Sequence, residues 1–304
     1  MAAEIWAAYS VRDHLRPNAF LADVVMYDHL VVPVPPPGDT TQWARWKDEN
    51  SWKPERQREL LDALGPVVTR VPWTAERQAV WESSYLQSRS QIGVGFSKSW
   101  AYELTAAGLF DVVPAMAKPV VATTPFTSLD DLARELQITR TAPRIRLPGS
   151  VVSAVVGREI LHPSDPSRSE TDLLKEAVHV TTKNNDYRNA RANLHARLAN
   201  LSRDGFTDLV SLRAAVDAIN DDLGEMERAV RKQKIWVWAH RVFSFSQIVL
   251  GALPAPINPI SLAFVATGIG EWTTSELLTD SKDPSRRAPD IAMLIDVKRE
   301  LRFG

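Results

Sequence analysis

The sequence predicts an α/β layer domain, or the related α+β arrangement, over residues 1–162, followed by an all-α domain over residues 171–280 and a linker with a last helix over residues 281–304. Three observations carry this. Short strand-like and helix-like runs alternate through the first half, which favours a layered fold with a mainly parallel sheet. The composition changes at about His162, where HPSDPSRSE brings prolines and serines together as an exposed connection. Beyond it, everything reads as helix, including a long helical hairpin and a buried apolar hairpin at 235–279.

In chain order, EIWAAYSV reads as a strand. Pro17 and Asn18 start a helix in which Phe20, Leu21, Val24 and Val25 share a face, and LVVPV returns as a second strand. The prolines of VPVPPPGD end that strand, because proline neither donates to a ladder nor continues a helix. Pro54 opens PERQRELLDALG, with Leu60, Leu61 and Leu64 on one side and Gly65 where a left-handed cap falls. VVTRV follows as a strand, and Thr74 caps TAERQAVWESSYLQS. VVATTPF is the next strand, and Ser128 with Asp131 begins LDDLARELQ in the manner of a capping box.

Past the connection, a helix from about Asp186 to Ser202 places Tyr187, Ala190, Leu194, Leu198 and Leu201 on one stripe. The following helix carries Leu209, Leu212, Val216, Ile219, Leu223, Met226 and Val230 at alternating spacings of three and four, the apolar seam of a helix lying against a partner. The two are expected to pair antiparallel, and the seam is the predicted interaction surface, satisfied by the same chain or by a second one. From Val242 to Gly270 run 29 residues without a charge, broken by Pro254, Pro256 and Pro259. Legs of 12 and 11 residues are each too short for the roughly 20 apolar residues that span a bilayer. A buried hairpin is therefore the first reading. A hairpin that enters the membrane on a trigger is the second, with Trp236, Trp238 and Trp272 at one interface, where indole rings are favoured. The final helix, from about Asp290, buries Ile291, Leu294, Ile295 and Leu301.

Composition narrows the function classes. Thirty-six basic residues against 37 acidic ones provide no overall field for nucleic acid or an anionic membrane. The absence of cysteine rules out disulfides, thiolate metal sites and cysteine nucleophiles, and fits a cytoplasmic protein. MAAEIWAAYSVRDH has no basic region followed by an apolar core of signal-peptide length, so export by that route is not expected.

Catalytic candidates are sparse. Asp13 with His14 and Asp28 with His29 form two Asp-His pairs near predicted strand ends, where a carboxylate could orient an imidazole as general base. Adjacent residues on an extended chain point to opposite sides, so the plainer reading is surface or capping groups. The six histidines show no metal-ligand spacing, and no metal or cofactor is expected. In GVGFSKS, Ser97 stands where a phosphate loop needs the glycine before its lysine, which favours a turn before a helix. WARWKDENSW interleaves tryptophans with basic residues, yet pinning a loop to the core is the cheaper account, and nucleic acid is not the expected partner.

The opening AAYSVRDHLRPNAFLADVVMYDHLVVPVP, residues 7–35, resembles the start of certain uncharacterised bacterial proteins, some of them suspected accessories of phage-defence or toxin-like loci. The resemblance implies an intracellular bacterial accessory or effector and carries over no catalytic residue. Three functional readings follow. The leading one is a non-enzymatic interaction or regulatory protein, with an α/β domain recognising a partner or small ligand and a helical docking surface for a protein partner or a second copy. The second is a membrane-acting effector that releases hairpin 235–279. The third is an α/β enzyme with a cleft in its first domain.

Overall fold

A computed structural model describes residues 4–11, 17–38, 54–92, 94–109, 120–135, 149–161, 169–183, 187–199, 209–232 and 289–301. Among these the chain is mostly helical around one four-stranded parallel sheet. The strands are β1 (Trp6–Ala8), β2 (His29–Val34), β3 (Val68–Pro72) and β4 (Val120–Ala122). Their order is β3-β2-β1-β4, with Trp6 beside both His29 and Val120 and with Leu30 beside Val68. The chain thus lays three strands outward in one direction, then returns to add β4 on the other side of β1.

The helices are α1 (Pro17–Met26), α2 (Pro54–Leu64), α3 (Ala75–Ile92), α4 (Val94–Ala107), α5 (Leu129–Glu135), α6 (Gly149–Ile160), α7 (Glu170–Lys183), α8 (Tyr187–Ala199), α9 (Leu209–Lys232) and α10 (Pro289–Leu301). Several starts and stops follow from single residues. Gly65 has φ +51, the left-handed conformation that glycine adopts without steric cost, and it closes α2 before a 3-10 turn. The Asp131 amide donates to Ser128 Oγ at 3.0 Å and the Thr127 amide to Asp131 Oδ2 at 3.0 Å, so the first turn of α5 is held from both directions.

Side-chain alternation along the strands divides the core in two. Trp6, Ala8, Val31, Val71 and Ala122 face α3 and α4, where Trp73, Trp81, Tyr85, Tyr102 and Leu109 complete a compact aromatic cluster. Ala7, Leu30 and Val32 face the opposite way, into a larger cluster that includes α1, α2 and α6 to α10. The sheet is therefore wound on both faces.

The composition change at His162 does not divide the core. Leu173, Leu194 and Ile291 share one apolar cluster with Phe20, Leu30 and Leu60, because α7 lies along α1 and α2 while α8 crosses the end of α1. Arg56 of α2 reinforces this, donating to Thr171 Oγ1 at 2.9 Å and pairing with Glu170 at 3.2 Å. The α1–α6 crossing is close at Gly157, where an added Cβ would lie 2.7 Å from Met26 Sδ.

The seam of α9 is satisfied inside this chain. Leu212, Val216, Ile219 and Leu223 are buried and Leu209 is half-buried, packed against α6 and α10. The side chains of Met226 and Val230 lie outside the described residues. The expected two-helix hairpin is modified accordingly: α10 rests on both α8 and α9, and α8 reaches α9 through Arg197 to Asp222 at 3.1 Å. Hairpin 235–279, with Trp236, Trp238 and Trp272, lies outside the described residues. No helix among the described residues is long and apolar enough to cross a membrane.

Candidate functional site

The strand order places a topological switch between β1 and β4, where open α/β sheets hold ligands beyond the carboxyl ends of the strands. The chain leaves β1 there through Tyr9, Ser10 and Val11, and leaves β4 through Thr123 and Thr124, all buried. Local bonds tie these segments down. The Thr123 amide and hydroxyl both donate to Ala8 O, at 2.9 and 3.1 Å. The Val11 amide reaches Thr105 Oγ1 at 3.4 Å, and Trp81 Nε1 donates to the same oxygen at 3.1 Å.

Beneath this edge lies a fully buried ion pair. Asp23, fully buried on α1, accepts from Arg158 Nε at 3.1 Å and Nη2 at 2.6 Å, and also takes the Tyr9 hydroxyl. Arg158 Nη1 donates to Thr124 O and Phe126 O, each at 2.7 Å. A planar guanidinium with five fixed donors suits this task, since it meets a carboxylate with two nitrogens and two carbonyls with the third. The arrangement binds α6 to α1 and to the segment after β4.

Glu103 and Ser150 add a second polar feature. They come from α4 on one face of the sheet and from the first turn of α6 on the other, and the Ser150 hydroxyl donates to Glu103 Oε1 at 3.0 Å. Burial pushes the Glu103 carboxyl above the usual carboxylate range, opposed by the Ser150 bond. A carboxyl so placed is suited to holding a proton.

The Asp-His candidates fare differently. Asp13 and His14 lie outside the described residues. Asp28 and His29 stand at the amino edge of the sheet, away from the switch, and do not converge. Asp28 accepts from the Ile5 amide at 2.8 Å and from Arg191 Nη1 at 2.8 Å. The His29 ring stacks on Trp6 with centroids 4.1 Å apart, and its Nε2 is 2.7 Å from Thr69 Oγ1. Burial lowers the His29 pKa, with Glu4 and Asp28 acting against it. The two side chains thus engage different partners, a buried arginine for Asp28 and an indole and a hydroxyl for His29. Gly95, Lys98 and Ser99 fall within α4 itself, so the phosphate-loop likeness has no loop to occupy.

The same amino edge carries a clamp on α1. Arg191 donates to Val25 O at 2.9 Å and Val24 O at 3.1 Å, and His195, one turn later on α8, bonds Met26 O through Nε2 at 2.8 Å. These are last-turn carbonyls that a helix leaves without internal partners, and a cation there also complements the helix dipole. Since a carbonyl only accepts, the His195 proton sits on Nε2. Burial holds the His195 pKa below its ordinary value.

Reasoning from the sequence missed Asp23, Glu103, Ser150, Arg158 and Arg191. Asp23 did carry a signal, being the lone charge in the apolar run FLADVVM; Arg158, with Glu159, ends the otherwise charge-free run VVSAVVG. No group of three metal-ligating side chains occurs among the described residues. Neither a protein-family model, nor a curated protein, nor a solved structure matches this chain.

Proposed function

We propose that this chain is a non-enzymatic interaction or regulatory protein, working through its helical surfaces on a protein partner. The observation that carries the reading is how the polar groups under the switch point are used. Tyr9, Asp23, Arg158 and the carbonyls of Thr124 and Phe126 are bonded to one another where an enzyme would present them to a substrate. The α9 seam faces inward, so the surface offered to a partner is its outer side, with Val210, Arg213, Asp217 and Asp221 exposed. A bacterial accessory role rests on the resemblance of residues 7–35, and the membrane reading rests on residues 235–279.

The test combines cross-linking capture from the native host with substrate panels for the purified protein. Val210→Glu should abolish capture of a specific partner while leaving the thermal midpoint in place. Capture that survives this change, together with substrate turnover by the pure protein, would overturn the proposal. A second reading, an α/β enzyme, is favoured by one observation, the half-buried Glu103 carboxyl bonded to Ser150 where α4 and α6 meet beside β4. Turnover lost in Glu103→Gln would establish it.

A further inference from the structure

The Tyr27 hydroxyl is deeply buried in the cluster formed by α1, α6 and α8, and it has no hydrogen-bond partner among the described residues. A hydroxyl in that state costs free energy unless something completes its bonding, and internal water is the usual agent. Its surroundings have capacity to spare. The Arg158 guanidinium has five N–H groups, of which one meets each Asp23 oxygen and one meets each of the carbonyls of Thr124 and Phe126. One N–H on Nη2 is left over. The Asp23 carboxylate has about four acceptor sites and uses three, for Arg158 Nε, Arg158 Nη2 and the Tyr9 hydroxyl. Tyr27 follows Asp23 by one helical turn, its amide donating to Asp23 O at 2.9 Å, so the two side chains leave the backbone on the same side; burial, then Asp23, hold the phenol in the protonated form.

We infer that the interior holds a bound water molecule that joins the Tyr27 hydroxyl to the Asp23–Arg158 pair. One donor, one acceptor and one hydroxyl able to act as either satisfy the two to four polar partners that a buried water requires. With it, the network runs unbroken from Tyr9 through Asp23 and Arg158 to Tyr27. The Tyr27 ring itself packs against that of His195, with centroids 5.0 Å apart.

High-resolution crystal structures of the full chain and of Tyr27→Phe, with urea unfolding of both, test the inference. The expected result is a solvent peak within hydrogen-bonding distance of Tyr27 Oη and of Arg158 or Asp23, lost in Tyr27→Phe. The unfolding equilibrium constant of the variant should rise by about tenfold, the order expected for one buried hydrogen bond. Absence of such a peak in the unsubstituted protein, or a direct bond from Tyr27 Oη to a protein group such as His195, would overturn it. A peak accompanied by Tyr27→Phe that is as stable as the parent also counts against it, since that solvent would contribute nothing to the network.

Discussion

Asp23 and Asp28 stand near the same end of α1 and each meets an arginine from far along the chain, yet the two ion pairs have different consequences. Arg158–Asp23 is sealed, with side-chain exposures of 3% and 0%. Arg191–Asp28 sits closer to solvent, at 7% and 8%, among the half-buried Glu4, Arg188 and His195. The first pair fixes α6 against the sheet and fills the space under the switch point. The second fixes α8 and terminates α1. Burial therefore separates a pair whose disruption strands a charge in the closed interior from one whose disruption opens directly to solvent.

The largest expected effect comes from Arg158→Met, which leaves Asp23 charged and unpaired and should cost about 3–5 kcal/mol in urea unfolding. Combining it with Asp23→Leu should recover more than half of that loss; if the double variant is no better than the single one, the burial argument is wrong. Arg191→Met should cost less, about 1.5–3 kcal/mol, because Asp28 can rehydrate. Its signature is faster amide exchange over the last turn of α1, and unchanged exchange there would contradict the clamp. Gly65→Ala forces a side chain into the left-handed region and should cost about 1–2 kcal/mol. Equal thermal midpoints for parent and variant would show that the backbone relaxes.

The smallest effects have opposite signs at the two edges. The folded-state pKa of His195 is depressed, so its contribution is complete above the ordinary imidazole value of about 6.5 and is lost as pH falls below it. The folded-state pKa of Glu103 is raised, so its contribution is complete below the ordinary carboxylate value of about 4.3 and is lost as pH rises through the range up to the folded value. His195→Gln, which keeps a donor for Met26 O, should flatten the fall in stability between pH 7 and pH 5. Glu103→Gln should raise stability at pH 7 and leave it unchanged at pH 4. Matching pH profiles for parent and variants would remove both assignments.

Local elements were legible where one residue decides a boundary. Pro17, Pro54, Gly65, Thr74 and Ser128 mark starts and stops that the structure places within a residue or so; the β-branched runs LVVPV and VVTRV coincide with β2 and β3, whereas EIWAAYSV forms a strand only over Trp6–Ala8. Helix α4 was harder, because Gly95 and its serines resemble a turn, and packing on α3, β1 and β4 makes it a helix. The seam of α9 was legible as a buried face but not as to its partner. That choice falls to α6 and α10 together, whose sequences say nothing of α9. The site was least legible, since Asp23 meets Arg158 across 135 positions and Asp28 meets Arg191 across 163. Periodicity reports which side of a helix is apolar; it does not report which distant charge answers a lone one.

The clamp on α1 has a consequence for biosynthesis. Ribosomes add about 5–20 residues per second, so the carbonyls of Val24, Val25 and Met26 wait on the order of ten seconds before Arg191 and His195 leave the exit tunnel. Throughout that interval the nascent β1–α1–β2 unit is unfinished at its seam with α8, and it is in this window that a chaperone would have the most to shield.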